Sequence, residues 1–271
     1  MAGALQRLIG WDSAVETRGK AGDMTLATNW ASGPREPHLG DGEVHVWLAD
    51  LEQINWNEGE LASLLSRDER IRADGFHRAV DRRRYIAVHG LLRNLLAAYV
   101  GSNPQELQFT NTPVGKPSLT SAPRPVFFNL SHSEGTALIA VAVGREVGID
   151  AEATQSGEEW PGAAPVALTD RELAALSAVR EEGIPSTFVA WWTAKEAYLK
   201  ARGWGLADLL TIELQMSATG DLTLLADHRD PLAVSAWSFL RLPAIPGYEA
   251  HLVVQGGDAR RVCWRADGIL T

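Results

Sequence analysis

Cysteine is almost missing from this chain: one residue, Cys263, in 271. With one thiol no intramolecular disulfide can form and no Cys-based metal cluster exists, which points to a reducing, cytoplasmic setting. Long apolar runs are missing too. Mean hydropathy is slightly negative at −0.11, and no stretch approaches the roughly 18 residues a spanning helix needs, so no membrane role is expected. The opening residues, MAGALQRLIGWDS, lack the basic start and apolar centre of a secretory signal. Basic charge is in deficit, with a net charge of −9. A nucleic-acid binder normally presents a basic surface, and none is expected here.

What is present is ordinary globular composition, 45% hydrophobic and 22% charged, enough for one large domain or two small ones. Residues 1–43 are rich in Gly, Pro and polar residues without clear periodicity and are read as an N-terminal extension. A strand is expected at Glu43–Ala49, where Val44, Val46 and Leu48 alternate. Leu61, Leu64 and Leu65 give a short helical stripe, and Ser66 with Glu69 makes a capping box that opens the next helix. Asp81–Tyr99 follows as the clearest helix of this region, stopped by Gly101. Strands are expected at Phe127–Ser131, Ala137–Val143 and Val147–Glu152, separated by Glu134-Gly135 and by Gly144-Arg145-Glu146.

The second half restarts with a capping box, Thr169 with Glu172, and a helix over Ser186–Arg202 that ends at Gly203. Strand-like segments follow at Thr211–Gln215, Leu222–Leu225, Ala233–Leu240 and Ala250–Val254. The two capping boxes and the two terminal glycines recur at nearly equal spacing. Two similar α+β halves about a pseudo-twofold axis explain that echo. The expected division is an extension at 1–43, a first half at 44–146 and a second at 147–271.

Three segments carry chemistry. In Val147-Gly148-Ile149-Asp150-Ala151-Glu152, strand alternation puts Asp150 and Glu152 on one face and Val147, Ile149 and Ala151 on the other. Paired carboxylates suit a hard cation such as Mg²⁺, which takes oxygen ligands and completes its shell with phosphate and water; a solvated acidic strand face has the same pattern. In the helix, Trp192, Glu196 and Lys200 recur every four residues and share a stripe, while Trp191 and Tyr198 read as core. Glu196 and Lys200 form either an exposed ion pair or a proton acceptor beside a phosphate-neutralising ammonium. Gly115-Lys116-Pro117 is a turn presenting one ammonium, and Phe128-Asn129-Leu130-Ser131-His132-Ser133 ends a strand with hydroxyl and imidazole groups. A Ser-His triad is disfavoured there, because adjacent strand residues point oppositely and no nucleophile elbow is present. Arg70, Arg72, Arg78, Arg82, Arg83 and Arg84 crowd one stretch, as a solvated face or an anion site.

Taken in order, Lys116-Pro117, Asn129-Leu130-Ser131-His132-Ser133, Gly148-Ile149-Asp150-Ala151-Glu152, Trp192-Thr193-Ala194-Lys195-Glu196-x₃-Lys200 and Pro246-Gly247-Tyr248 resemble the signature of the 4′-phosphopantetheinyl transferase superfamily. The resemblance is to its surfactin-activating, monomeric type and spans about Arg67 to Tyr248. It implies a pseudo-dimeric α+β fold with coenzyme A between the halves. It implies Mg²⁺ held by Asp150, Glu152 and Glu196, and coenzyme A phosphates held by Lys116 (with Pro117), Ser131, His132, Arg72 and Arg84. Glu196, Lys200 and Asp150 would be catalytic, and the acceptor would be a serine of an acyl or peptidyl carrier protein, with 3′,5′-ADP leaving. A Mg²⁺-dependent phosphohydrolase built on the same carboxylates is the competing reading, and a carrier-binding module without activity is the third.

Overall fold

The computed structural model describes residues 30–52, 56–120, 122, 124–154 and 160–269. Most of the expected extension, residues 1–29, thus lies outside the described residues. The rest of it carries buried Trp30 and a two-residue strand β1 (Ala31–Ser32).

The first half runs β2 (Glu43–Asp50), α1 (Glu58–Leu64), α2 (Arg67–Asp74), α3 (Ala79–Val100), β3 (Phe109–Asn111), β4 (Pro117–Leu119), β5 (Val126–Ser133) and β6 (Thr136–Val143). The second runs β7 (Val147–Ala153), α4 (Trp160–Ala167), α5 (Asp170–Ser177), α6 (Ile184–Arg202), β8 (Ile212–Met216), β9 (Leu222–Asp227), β10 (Trp237–Arg241) and β11 (Tyr248–Gln255), followed by β12 (Arg260–Arg265) and a 3₁₀ turn at Ala266–Gly268. Strands β2-β6-β5 pair in that order, all antiparallel, and β7-β11-β10 repeat the order and sense. Strand β12 returns to lie parallel to β2, in the first sheet.

The sequence echo has a physical basis in this repeat. Ser66–Glu69 and Thr169–Glu172 both form complete capping boxes. Each box glutamate also meets a buried cation on the long helix of its half: Glu69 with Arg93 at 2.6 Å and Glu172 with Lys195 at 2.6 Å. One carboxylate therefore caps a short helix and ties it to a long one. Both long helices stop at a glycine with positive φ, Gly101 at 66° and Gly203 at 63°, a conformation that penalises any Cβ.

The two sheets stack face to face between the two long helices. Val44, Val46, Leu48, Leu138, Ala140 and Ala142 of the first meet Val147, Ile149, Ala151, Ala250, Leu252 and Val254 of the second. The opposite face of the first sheet buries α3, chiefly through Leu91, Leu95, Leu96, Phe128 and Ile139. On the second, Phe188, Trp191, Trp192 and Tyr198 of α6 form the largest aromatic core. At the seam, β5 and β7 run side by side without a backbone ladder. Side chains bridge them: Asn129 Oδ1 accepts from Ile149 N at 2.8 Å, and Ser131 Oγ accepts from Ala151 N at 3.3 Å. Buried backbone donors need partners, and the serine and asparagine of Asn-Leu-Ser supply them.

One expected strand differs. Ala233–Leu240 splits into a 3₁₀ turn, Pro231–Ser235, and the shorter strand β10. Pro231 at the start of the turn fixes φ and removes a ladder donor, so pairing begins only at Trp237. Among the described residues no helix is long and apolar enough to cross a membrane.

Candidate functional site

The site begins with a missing side chain. Gly148 lies on the face of β7 that α6 covers, and a Cβ there would stand 1.9 Å from Ala197 O and 2.4 Å from Ala201 N. Only glycine lets the helix backbone press directly on the strand. That approach carries Glu196 and Lys200, one face of α6, over Asp150, two residues further along β7.

Asp150 is 1% exposed and Glu196 9%. Lys200 Nζ bonds Asp150 Oδ1 and lies 3.5 Å from Glu196 Oε2. From the seam, Ser131 Oγ donates to Asp150 Oδ1 at 2.8 Å, and Ser133 Oγ donates to Glu152 Oε2 at 2.9 Å. Alternate residues of β5 thus serve alternate residues of β7, and the strand periodicity seen in the sequence becomes a line of three carboxylates with one ammonium.

The charges do not balance, and proton affinities show it. Burial, then the charge of Asp150, pushes Glu152 up to about 8 and Glu196 up to about 7, with Glu196 adding to the effect on Glu152. Burial alone would lower Lys200, but Asp150 and then Glu196 outweigh it and hold the ammonium well above its ordinary value. Asp150 Oδ2 is buried with no hydrogen-bond partner. An orphaned carboxylate oxygen beside two carboxylates that resist ionising is a donor set short of positive charge, and all-oxygen donors fit a hard divalent cation such as Mg²⁺. Among the described residues no three such side chains converge at ligand distance in the arrangement seen; Lys200 takes up Asp150 instead.

The other expected residues are dispersed. Lys116 Nζ bonds Glu146 Oε2 at 2.5 Å and the helix-terminal carbonyl of Ala201 at 2.7 Å, pinning the β3–β4 hairpin to the end of α6. It sits beside Val147, about 10 Å along the strand from Asp150 at the usual rise per residue. Pro117 opens β4. His132 lies on the opposite face of β5 from Ser131, and desolvation, then the charges of Lys200, His89 and Arg84, holds its imidazole down to about 4. Arg84 bonds Glu52 at 2.7 Å. Arg72 lies over the Tyr85 ring, 5.9 Å from its centre, and that ring stacks on His89. The structure therefore gathers Asp150, Glu152, Glu196, Lys200 and Ser131 at the seam. His132, Arg84 and Arg72 line the α3 side, and Lys116 and Pro117 lie at the far end of β7.

Three contributors escaped sequence reasoning. Gly148 was visible as a glycine inside a strand, a mark of close backbone approach, but the helix it admits lies some fifty residues on. Glu249, directly opposite Glu152 on β11, is held by Arg241 on β10. His251 faces Asp150 on the same strand pair and is 1% exposed; burial, then Arg241, holds its imidazole down to about 3. Neither pairing has a local signal, since each depends on how β11 registers against β7.

Known proteins resemble most of the chain. The 4′-phosphopantetheinyl transferase superfamily description matches residues 146–253, and that of the 4′-phosphopantetheinyl transferase N-terminal domain matches 53–144. The 4′-phosphopantetheinyl transferase HetI of Nostoc sp. is 35% identical over 233 residues, covering 85% of this chain and 95% of that protein. The putative 4′-phosphopantetheinyl transferase slr0495 of Synechocystis sp. is 34% identical over 146 residues, 54% of this chain and 59% of that protein. A phosphopantetheinyl transferase of Thraustochytrium sp. is 31% identical over 180 residues, 60% and 62% respectively. The two family descriptions together span both halves, the first of them including Gly148, Asp150, Glu152, Glu196 and Lys200, and the chain belongs to the 4′-phosphopantetheinyl transferase superfamily.

Proposed function

We propose that this enzyme moves the 4′-phosphopantetheine arm of coenzyme A onto a serine of an apo acyl or peptidyl carrier protein, with Mg²⁺ as cofactor, and that the seam between the halves is where it does so. The observation that carries the reading is the cluster itself. Asp150, Glu152 and Glu196 surround one ammonium, Lys200, with too little positive charge to ionise fully.

Asp150, Glu152 and Glu196 would hold the cation, which when bound supplies charge neutralisation for a pyrophosphate. Lys200 stays protonated and takes negative charge developing on the transferred phosphate or on the departing one. Glu196, poised near neutrality, accepts the proton of the attacking serine hydroxyl. The new bond joins serine oxygen to the β-phosphorus, the bond to the bridging pyrophosphate oxygen breaks, and 3′,5′-ADP leaves with that electron pair. On the α3 side, Arg84 and Arg72 supply positive charge for the remaining phosphate, and His132, held neutral, offers it a ring N–H. Lys116 and Pro117 shape the far end of the groove, and Ser131 fixes Asp150.

The halves 44–146 and 147–271 supply the two walls, with β12 crossing back to the first sheet. A cleft complete within one chain fits a monomer, and a single cysteine fits the cytoplasm. A phosphohydrolase reading has no support among the relatives. The test is the intact mass of an apo carrier incubated with the enzyme, coenzyme A and Mg²⁺. The carrier gains one phosphopantetheine arm with wild type and none with Glu196→Gln or without the cation. An unmodified carrier across a panel of acyl and peptidyl types would refute the reading.

A further inference from the structure

His251 and Thr193 belong to none of the roles above, yet both are buried at the centre of the site. Thr193 is fully buried on α6, three residues before Glu196 and seven before Lys200, on the face turned to the second sheet. His251 lies on β11 directly across from Asp150. Thr193 Oγ1 and His251 Nδ1 are 2.8 Å apart, and Thr193 Oγ1 is also 2.9 Å from Val189 O and 3.2 Å from Ala190 O. His251 Nε2 has no hydrogen-bond partner.

One proton arrangement satisfies these contacts. The Thr193 hydroxyl has a single proton, and two backbone carbonyls of its own helix compete for it. If the hydroxyl donates to Val189 O, its oxygen is free to accept from His251 Nδ1–H, and the lone pair left at Nε2 is an unfilled acceptor. The alternative tautomer would bury an orphaned N–H, the rarer and costlier defect.

We infer that the His251 Nδ1–H to Thr193 Oγ1 hydrogen bond is a register pin, which fixes the turn of α6 carrying Glu196 and Lys200 against the strand pair carrying Asp150. Gly148 lets the helix approach but sets no position along the strand, because a smooth glycine surface resists sliding poorly. A directional bond between a fully buried hydroxyl and a ring on the neighbouring strand does. His251 and Thr193 are positioning residues: they act through Glu196 and Lys200.

The test pairs disruptive with conservative variants, and its rate arm rests on the transferase reading. Thr193→Val and His251→Leu keep volume and delete the bond. Thr193→Ser keeps the hydroxyl, and His251→Asn places an amide donor where Nδ1 sits. With carrier and coenzyme A, kcat should fall between about tenfold and 10²-fold in the first pair, as expected for a small misplacement of catalytic groups. KM for coenzyme A should stay within about twofold. The Val/Leu double variant should be no slower than the worse single, since either change already breaks the pin. Thr193→Ser and His251→Asn should recover most of the rate. Nitrogen NMR on histidine-labelled wild type should show His251 as the Nδ1–H tautomer, perturbed in Thr193→Val. An Nε2–H ring, or disruptive variants with wild-type kcat, or conservative variants as slow as the disruptive ones, would overturn the inference. If wild type transfers nothing, the functional reading fails instead, and the tautomer alone then decides the pin.

Discussion

Gly148→Ala is the sharpest perturbation the site offers, because one methyl group meets backbone on two sides. The added carbon would lie 1.9 Å from Ala197 O and 2.9 Å from Ala201 Cβ. Ordinary contact starts near 3.4 Å, so the helix must retreat by about 1.5 Å. No side-chain rotation can absorb this. Overpacking of a core costs typically about 1–3 kcal/mol, and backbone contact places this substitution in the upper part of that range. The alanine recovers about 0.4–1 kcal/mol by restricting the unfolded chain. The net loss is about 2 kcal/mol, a fall in Tm of roughly 4–8 °C for a chain of this size. The catalytic effect should exceed the stability effect. Retreat of α6 lifts Glu196 and Lys200 away from Asp150, and a misplacement of that order costs about 10²-fold in rate. Thermal denaturation and carrier-loading kinetics are run alongside Gly162→Ala. Gly162 is exposed in α4 with nothing within 4 Å of its added carbon, and there alanine should stabilise by about 0.5–1 kcal/mol. A Gly148→Ala enzyme with wild-type Tm and kcat would show that the helix does not rest on the strand as described.

Two further outcomes follow from buried charge. Lys195→Met strands the Glu172 carboxylate, whose partners besides Lys195 are the N–H groups of Thr169 and Leu214. Removing one member of a buried pair costs about 3–5 kcal/mol, so urea denaturation should show a loss near the lower bound; a loss under about 1 kcal/mol would contradict the pairing. The raised values of Glu152 and Glu196, about 8 and about 7, mean that the folded protein keeps protons the unfolded chain has already released. Their contribution is intact below the ordinary value of 4.5 and is lost as pH rises through about 7 to 8. Cation-free Tm should therefore decline across that window and Glu152→Gln should decline less. Added Mg²⁺ should stabilise more at pH 8 than at pH 5; equal stabilisation at both would count against these carboxylates as its ligands.

How far the sequence was legible depends on range. The face of β7 that bears Asp150 and Glu152 follows from a period of two, and both capping boxes follow from residues three apart. The pseudo-symmetry showed itself because in both halves one glutamate, three residues after the cap, both caps a short helix and is tied to the long one. Ser131 was legible as a hydroxyl at a strand end, but its bonds to Asp150 and from Ala151 N are set by a seam between strands that no local pattern encodes. Lys116 was legible as an ammonium on a turn, but its bond to the end of α6, eighty-five residues on, has no local signal. Strand β12 carries no alternation strong enough to announce its parallel pairing with β2, and His251 and Glu249 acquire their meaning only through register.

The most direct test of the site is calorimetric titration of coenzyme A into wild type and Asp150→Asn, each with and without Mg²⁺. Asp150 joins β7 to α6 and carries the orphaned oxygen, so the cation should tighten coenzyme A binding by about tenfold or more in wild type, or at least about 1.4 kcal/mol, and the asparagine should abolish that gain. Coenzyme A affinity indifferent to Mg²⁺ in wild type, or a gain undiminished in Asp150→Asn, would contradict a cation held at the seam.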